Sequence, residues 1–277
     1  MSTEALIWPG NRRIAVVFNV CLEAWSDGKA PGISPMGNPL PAGVLDNMAI
    51  SWAAYGYKRG IYRLLAAFEK HDILASVMVN GVIAERAPEA IKAIAESGHE
   101  ILSHSYAMDV IPALLDEAQE RDNIARCRRL LEHAGGVRLK GWLSPRGTPS
   151  PITARLLSEA GFLWHGDVFD DDLPYVQTFA GVPIVAIPLG TDVNDMPSMK
   201  YGAPPSRMLE SFEQNIAIAH AAGETCIIDV TSHAHIYGRP RGAHFYARIM
   251  EAALRSGAWI ATRAEIAAHV LASRPAS

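Results

Sequence analysis

Gly98-His99-Glu100-Ile101-Leu102-Ser103-His104-Ser105-Tyr106-Ala107-Met108-Asp109 reads as a glycine, a short apolar run and a polar exit. The glycine closes a helix predicted over Pro88 to Ser97, the apolar run makes a strand, and His104 falls where that strand enters a loop. In parallel α/β sheets and barrels, reacting groups gather at the carboxyl ends of strands. Imidazole suits zinc and related ions, so a second histidine four residues on would complete a pair of ligands. The residue there is Met108, whose soft thioether is a poor replacement. The stretch argues for an α/β fold with chemistry at His104, and it supplies only half of a metal motif.

Working outward, the same alternation runs the length of the chain. Arg13 to Val20 is an apolar run of strand length that delivers Cys21, Leu22 and Glu23 to its carboxyl end. Ser26 to Leu45 is rich in glycine and proline and reads as a long surface loop able to act as a lid. A helix over Gly60 to Glu69 and a strand over Leu74 to Val79 follow. Beyond the opening stretch come an amphipathic helix from Leu114 to His133, stopped by Gly135-Gly136, and a strand near Leu139 to Leu143. A turn holds Arg146, Pro151 to Ala160 is helical, and a strand over Gly161 to His165 runs into an acidic stretch ending at Asp172. Val182 to Pro188 is strand-like, Thr191 to Pro205 irregular, Pro204 to Ala221 helical, and Thr225 to Val230 a strand with His233 just past its end. A helix, a strand at Trp259 to Thr262 and a closing helix finish the chain. No composition break or repeat interrupts this order, which predicts one parallel barrel-like domain over residues 1–277. A doubly wound open sheet is the alternative, but no Gly-x-Gly-x-x-Gly or Walker sequence supports nucleotide binding.

Composition narrows the classes of partner. With 49% hydrophobic and 19% charged residues over 277 positions, the chain has material for a full core and none of the bias of disorder. A net charge of -4 with scattered basic residues makes nucleic acid and anionic membrane poor partners and leaves a small molecule. No apolar run reaches bilayer length, and the first ten residues lack a basic-then-apolar pattern. Three cysteines without close pairing predict a reducing cytoplasm rather than a disulfide framework.

Several predicted strand ends carry polar residues, which together could supply a base, an acid and a cationic group for an oxyanion. Glu23 would be a general base or a metal ligand, or a solvated loop acid. His104 is either a catalytic or a satisfied structural histidine. His233 suits a general acid; His235 competes, and alternation would point it the same way but farther out. Arg146, between Pro145 and Gly147, could clamp a carboxylate or carbonyl oxygen, or be a surface turn arginine. One of Asp170, Asp171 and Asp172 is expected to fix a histidine or arginine through a charge-assisted hydrogen bond. Cys21, two residues before Glu23, is either a nucleophilic thiolate or a buried inert thiol. Tyr106 and Trp142 are expected in supporting places at the substrate pocket.

Assembled, these pieces resemble the polysaccharide deacetylase (NodB-homology) superfamily, and within it the allantoinase-like, cyclic-imidase branch. The residues that carry the likeness are Tyr55-Gly56 with Arg59-Gly60 and Arg63, Gly98-His99-Glu100 with Ser103-His104, and Gly141-Trp142 with Arg146. Asp167, Asp171-Asp172-Leu173-Pro174-Tyr175, Asn194-Asp195-Met196, His233 and Gly238-Arg239-Pro240 continue it in family order. The resemblance implies a distorted (β/α)7 barrel that hydrolyses a carbon–nitrogen bond, and a homo-oligomer. It implies that Cys21 and Glu23 stand where metal-dependent members keep an Asp base and an Asp ligand. His104 and Met108 then occupy the places of two histidine ligands, His233 is the acid, Arg146 orients the base, and an aspartate of the 170–172 run tunes the acid. Two of four places are altered, so the Asp-His-His triad cannot form, and Glu23 with His104 gives two donors where a catalytic zinc takes three.

The expectation is a cytoplasmic amidohydrolase that opens a small cyclic amide, ureide or imide without an ion. Glu23, with His104, would deprotonate water, Arg146 would stabilise the oxyanion and His233 would protonate the departing nitrogen. The rivals are a metal-dependent N-deacetylase, with zinc on Glu23, His104 and a further ligand such as Asp109, and a non-catalytic module that keeps the pocket.

Overall fold

The computed structural model describes residues 6–29, 40–41 and 44–273. Its centre is β1 (Ile14–Leu22), which is buried along its whole length. Alternation sorts its side chains: Val16, Phe18, Val20 and Leu22 pack outward under the helices, while Ala15, Val17 and Cys21 face the barrel interior. Parallel strands flank it on both sides, with β9 (Cys226–His233) paired along one edge from Ile14 to Cys21. On the other edge, β10 (Trp259–Ile260) takes the first half of β1 and β2 (Ser76–Val79) the second.

From β2 the sheet continues through β3 (Glu100–Ser103), β4 (Gly141–Trp142), β5 (Trp164–His165) and β7 (Val182–Ala186) to β6 (Tyr175–Phe179). At the far side, β8 (Val193–Asn194) pairs with β9. Among these named strands every pair is parallel except β6 with β7, an antiparallel hairpin. This is a distorted barrel of the predicted α/β type, with helices outside it and, among the described residues, a sheet not hydrogen-bonded shut.

The helices stop and start where the sequence supplies caps. The longest, Glu117–Gly135, opens on an Asp116/Gln119 capping box and ends at Gly136 in the left-handed region. The last, Arg263–Ala272, opens on the same device built from Thr262 and Glu265. Inside the barrel, Arg263 donates to both oxygens of Asp229 at 2.7 and 2.8 Å and to Asn19 at 3.0 Å. Removing one member of such a buried pair costs about 3–5 kcal/mol.

Two features depart from the sequence reading. The segment between Ser26 and Leu45 read as a loop lies partly outside the described residues, and a helix, Asn47–Tyr55, follows it under an Asp46 cap. The strand predicted to end at Val230 runs on to His233, so His233 is the last strand residue rather than a loop residue. Its register partner there is Cys21 on β1, which keeps both residues in one layer of the barrel. No helix among the described residues is long and apolar enough to cross a membrane.

Candidate active site

The inward phase of β1 continues past its end, so Glu23 and Trp25 follow Cys21 toward the same space. The inward phase of β9 brings Asp229, Thr231 and His233 from the neighbouring strand. His104 arrives directly after β3, its N–H tied to the Val79 carbonyl on β2. Cys21, Glu23, Trp25, His104, Thr231 and His233 line one cavity of about 330 Å³ at the carboxyl end of the strands, together with Arg146 and Met108, while Asp229 is taken up by Arg263.

Glu23 is buried and is met by three imidazoles. Its Oε1 lies 3.4 Å from Nε2 of His233 and 3.7 Å from Nε2 of His104, and its Oε2 lies 4.0 Å from Nε2 of His235. His233 is held from behind. Its Nδ1 donates to Asp195 Oδ1 at 2.6 Å, and its backbone N–H donates to Asp195 Oδ2 at 2.8 Å. Asp195 opens a short helix, Asp195–Lys200, and is fully buried. Burial opposes a charge on His233, but the carboxylates of Glu23 and Asp195 around it raise its pKa well above the usual 6.5. Burial likewise opposes charge on Glu23, and the charge of His233 with the His104 ring beside it brings its carboxyl well below 4.5. The centre is therefore a carboxylate facing an imidazolium.

The other groups divide by environment. Burial pushes the Cys21 thiol up, and its Sγ rests 3.5 Å from the Met78 sulfur, an environment that favours the protonated thiol over a thiolate. His104 donates from Nδ1 to the Leu143 carbonyl at 2.7 Å, which leaves Nε2 toward Glu23. His235 is fully buried, with its pKa lowered to about 3 by desolvation, and among the described residues neither ring nitrogen has a hydrogen-bond partner. It does not lie farther out than His233. The chain turns after the strand and seats the ring behind Glu23, 4.4 Å from the Trp52 ring.

That turn depends on the Tyr55-Gly56…Arg59-Gly60…Arg63 signature. Gly60 lies so close to the turn that a Cβ there would come within 1.9 Å of the Ala234 carbonyl oxygen. Arg63 then ties Tyr55, at 2.7 Å from its hydroxyl, to the Gly238 carbonyl. The signature thus holds the segment that carries His233 and His235.

Arg146 sits on the turn after β4 with a φ of 60°, a backbone conformation that costs about 1–3 kcal/mol in a residue other than glycine. Asp167 holds this turn by accepting from the Ser144 N–H and hydroxyl, both at 2.7 Å. Arg146 is exposed at the cavity mouth, and among the described residues it forms no ion pair and no side-chain hydrogen bond, so it does not orient Glu23 directly.

Four expectations are corrected. Asp170 accepts from the Tyr175 hydroxyl, Asp171 caps the backbone N–H groups of Asp172 and Leu173, and Asp172 borders a separate depression beside Cys226. The carboxylate that tunes His233 is instead Asp195, a residue the sequence reading quoted without giving it a role. Tyr106 points away from the cavity, bonded to Glu85 at 2.7 Å with Arg126 over its ring. Trp142 is buried under the helices and reaches the site only through Ser144, whose hydroxyl accepts from it at 3.0 Å. Asp109, the suggested extra ligand, accepts from the Ser26 N–H at 2.8 Å and does not line the cavity.

The donor set does not fit the family's three-ligand ion. Glu23 and His104 are two donors, and Met108 packs its side chain with Trp25 and Ala53. Cys21, Glu23 and His233 do have ligand atoms within 4.8 Å of one another. An ion in that group would have to displace the protons that burial favours on the Cys21 thiol and that the neighbouring carboxylates favour on His233.

Comparison with known proteins places the chain. A family model for polysaccharide deacetylase matches residues 54–164. The crystal structure of PuuE allantoinase is 30% identical and superposes with a TM-score of 0.86 over 98% of this chain and 94% of its own. A probable polysaccharide deacetylase from Pseudomonas aeruginosa PAO1 is 29% identical, with a TM-score of 0.86 over 98% and 95% of the two chains. The peptidoglycan deacetylase of Helicobacter pylori is 31% identical over 46% of this chain and 43% of its own. With sequence and fold matched along nearly the whole length of the first two of these relatives, the chain belongs to the polysaccharide deacetylase family.

Proposed function

We propose that this family member is a hydrolase of non-peptide carbon–nitrogen bonds that opens a small cyclic amide, ureide or imide, and that its own side chains replace the ion of its metal-dependent relatives. The observation that carries the reading is the Glu23–His233 pair, 3.4 Å apart and backed by Asp195 inside a cavity of about 330 Å³. Water approaching Glu23 gives up a proton to the carboxylate as its oxygen attacks the ring carbonyl. Arg146 meets the negative charge that develops at the mouth. The imidazolium of His233 delivers its proton to the departing nitrogen, and the proton on Glu23 then crosses to His233 Nε2 to restore the pair. The name of the allantoinase relative supports a ring substrate. A strained ring amide also needs less activation than a plain acetamide.

The second reading is a metal-dependent N-deacetylase of an acetylated sugar or amine, favoured by the His104 Nε2 turned toward Glu23 and by the peptidoglycan deacetylase relative. A panel of cyclic ureides, imides and lactams, run beside acetylated amino sugars, tests the choice. Consumption of a ring by the wild type, lost in Glu23→Gln and His233→Ala, is the expected result. Deacetylation that needs added zinc, with no ring consumed, overturns it.

A further inference from the structure

We propose that the cavity selects rings that carry an apolar alkyl or aryl substituent on the side remote from the bond that breaks. The inference rests on the ring-opening reading and names the substrate class of that same site.

Polar equipment is concentrated at the buried end, where Glu23, His104 and His233 meet. Above them the walls are Trp25, Met108, Leu143, Phe169, Leu189 and Met196. A sugar ring presents hydroxyls on every side and needs paired partners for them; apart from Arg146 at the mouth, the wall groups able to supply any are Thr191, Asn194 and Thr231. Met108 is the most telling of these. It stands one polar place away from an ion-binding motif, yet its thioether packs on Trp25 and turns that position into an adaptable apolar wall.

Phe169 gives an independent sign at the entrance. It is 54% exposed, and its ring lies against Gly147, where a Cβ would come within 2.7 Å of the ring carbons. A large aromatic held in water beside a cavity is stabilised when a ligand covers it. An apolar substituent that reaches from the ring toward Phe169 does this.

The test compares three rings with one scissile bond: unsubstituted, hydroxymethyl-substituted, and isobutyl- or phenyl-substituted. The expected result is a kcat/KM that rises about fourfold per methylene buried, so that the isobutyl ring exceeds the hydroxymethyl ring at least tenfold. Met108→Gln and Phe169→Ser should each shrink that ratio several-fold, a readout that survives a general loss of rate. Equal or better turnover of the hydroxymethyl ring overturns this inference and leaves ring opening intact. Failure of the wild type to consume any of the three overturns both.

Discussion

Oε1 of Glu23 stands 3.4 Å from Nε2 of His233, and the far side of the same imidazole is bonded to Asp195 at 2.6 Å. Two carboxylates thus share one buried histidine, one facing the cavity and one facing away from it. This makes His233 a proton donor at neutral pH and keeps Glu23 ionised as the acceptor. The relationship gives the site its predicted behaviour toward pH, substitution and metal.

The active form needs Glu23 ionised and His233 protonated. Glu23 titrates well below 4.5 and His233 well above 6.5. A profile of kcat/KM against pH should therefore be flat between those two ordinary values, with no inflection near 6.5. For stability, the sign follows from each shift. The lowered Glu23 contributes above pH 4.5 and loses its contribution as pH falls through the folded value. The raised His233 contributes below pH 6.5 and loses its contribution as pH rises through its folded value. A descending limb centred at 6.5 would show that His233 is not held by its carboxylates.

Asp195→Asn keeps the volume and removes the charge behind His233. The alkaline limb should move to lower pH, and kcat should fall by about 10²–10⁴. Asp172→Asn, by contrast, should change neither quantity, because Asp172 lies at a separate depression. Rate profiles of the two variants, measured side by side, check both halves.

Gly60→Ala would force a Cβ to within 1.9 Å of the Ala234 carbonyl oxygen. Relief requires the turn after His233 to shift, at a cost of about 1–3 kcal/mol. Thermal melting should fall by several degrees. Activity at temperatures where the protein is fully folded should fall more than stability does, because the displaced turn follows directly on His233. A variant with wild-type melting and rate would deny the signature its positioning role.

Much of this could be read from residues alone, for reasons that differ by element. β1 was legible because a strand buried on both faces is a continuous apolar run, and its period of two carries Cys21 and Glu23 to one side. His104 was legible from its place after a short apolar strand. The β6–β7 hairpin was half missed: Val182 to Pro188 read as a strand, but Tyr175 to Phe179 is only half-buried and lacks a continuous apolar signal. Asp195 was missed as a functional group because its partner is 38 positions away, and a run of three aspartates drew the assignment instead. Only the pairing of β8 with β9 brings Asp195 behind His233. His235 was misplaced because alternation was extended past a strand that ends at His233.

Met108→His restores a third donor near Glu23 and His104. Metal analysis after purification without added ion should find this variant carrying more zinc than the wild type. Equal, stoichiometric zinc in both proteins would mean that the wild type already completes its ligand set.

The central claim is that the chain's own acid, base and arginine break the carbon–nitrogen bond. It is tested most directly by assaying the ring panel before and after exhaustive chelation, with metal content measured on the same sample. The account predicts an unchanged kcat/KM in metal-free protein. A loss of activity on chelation that is restored by one equivalent of zinc would contradict it.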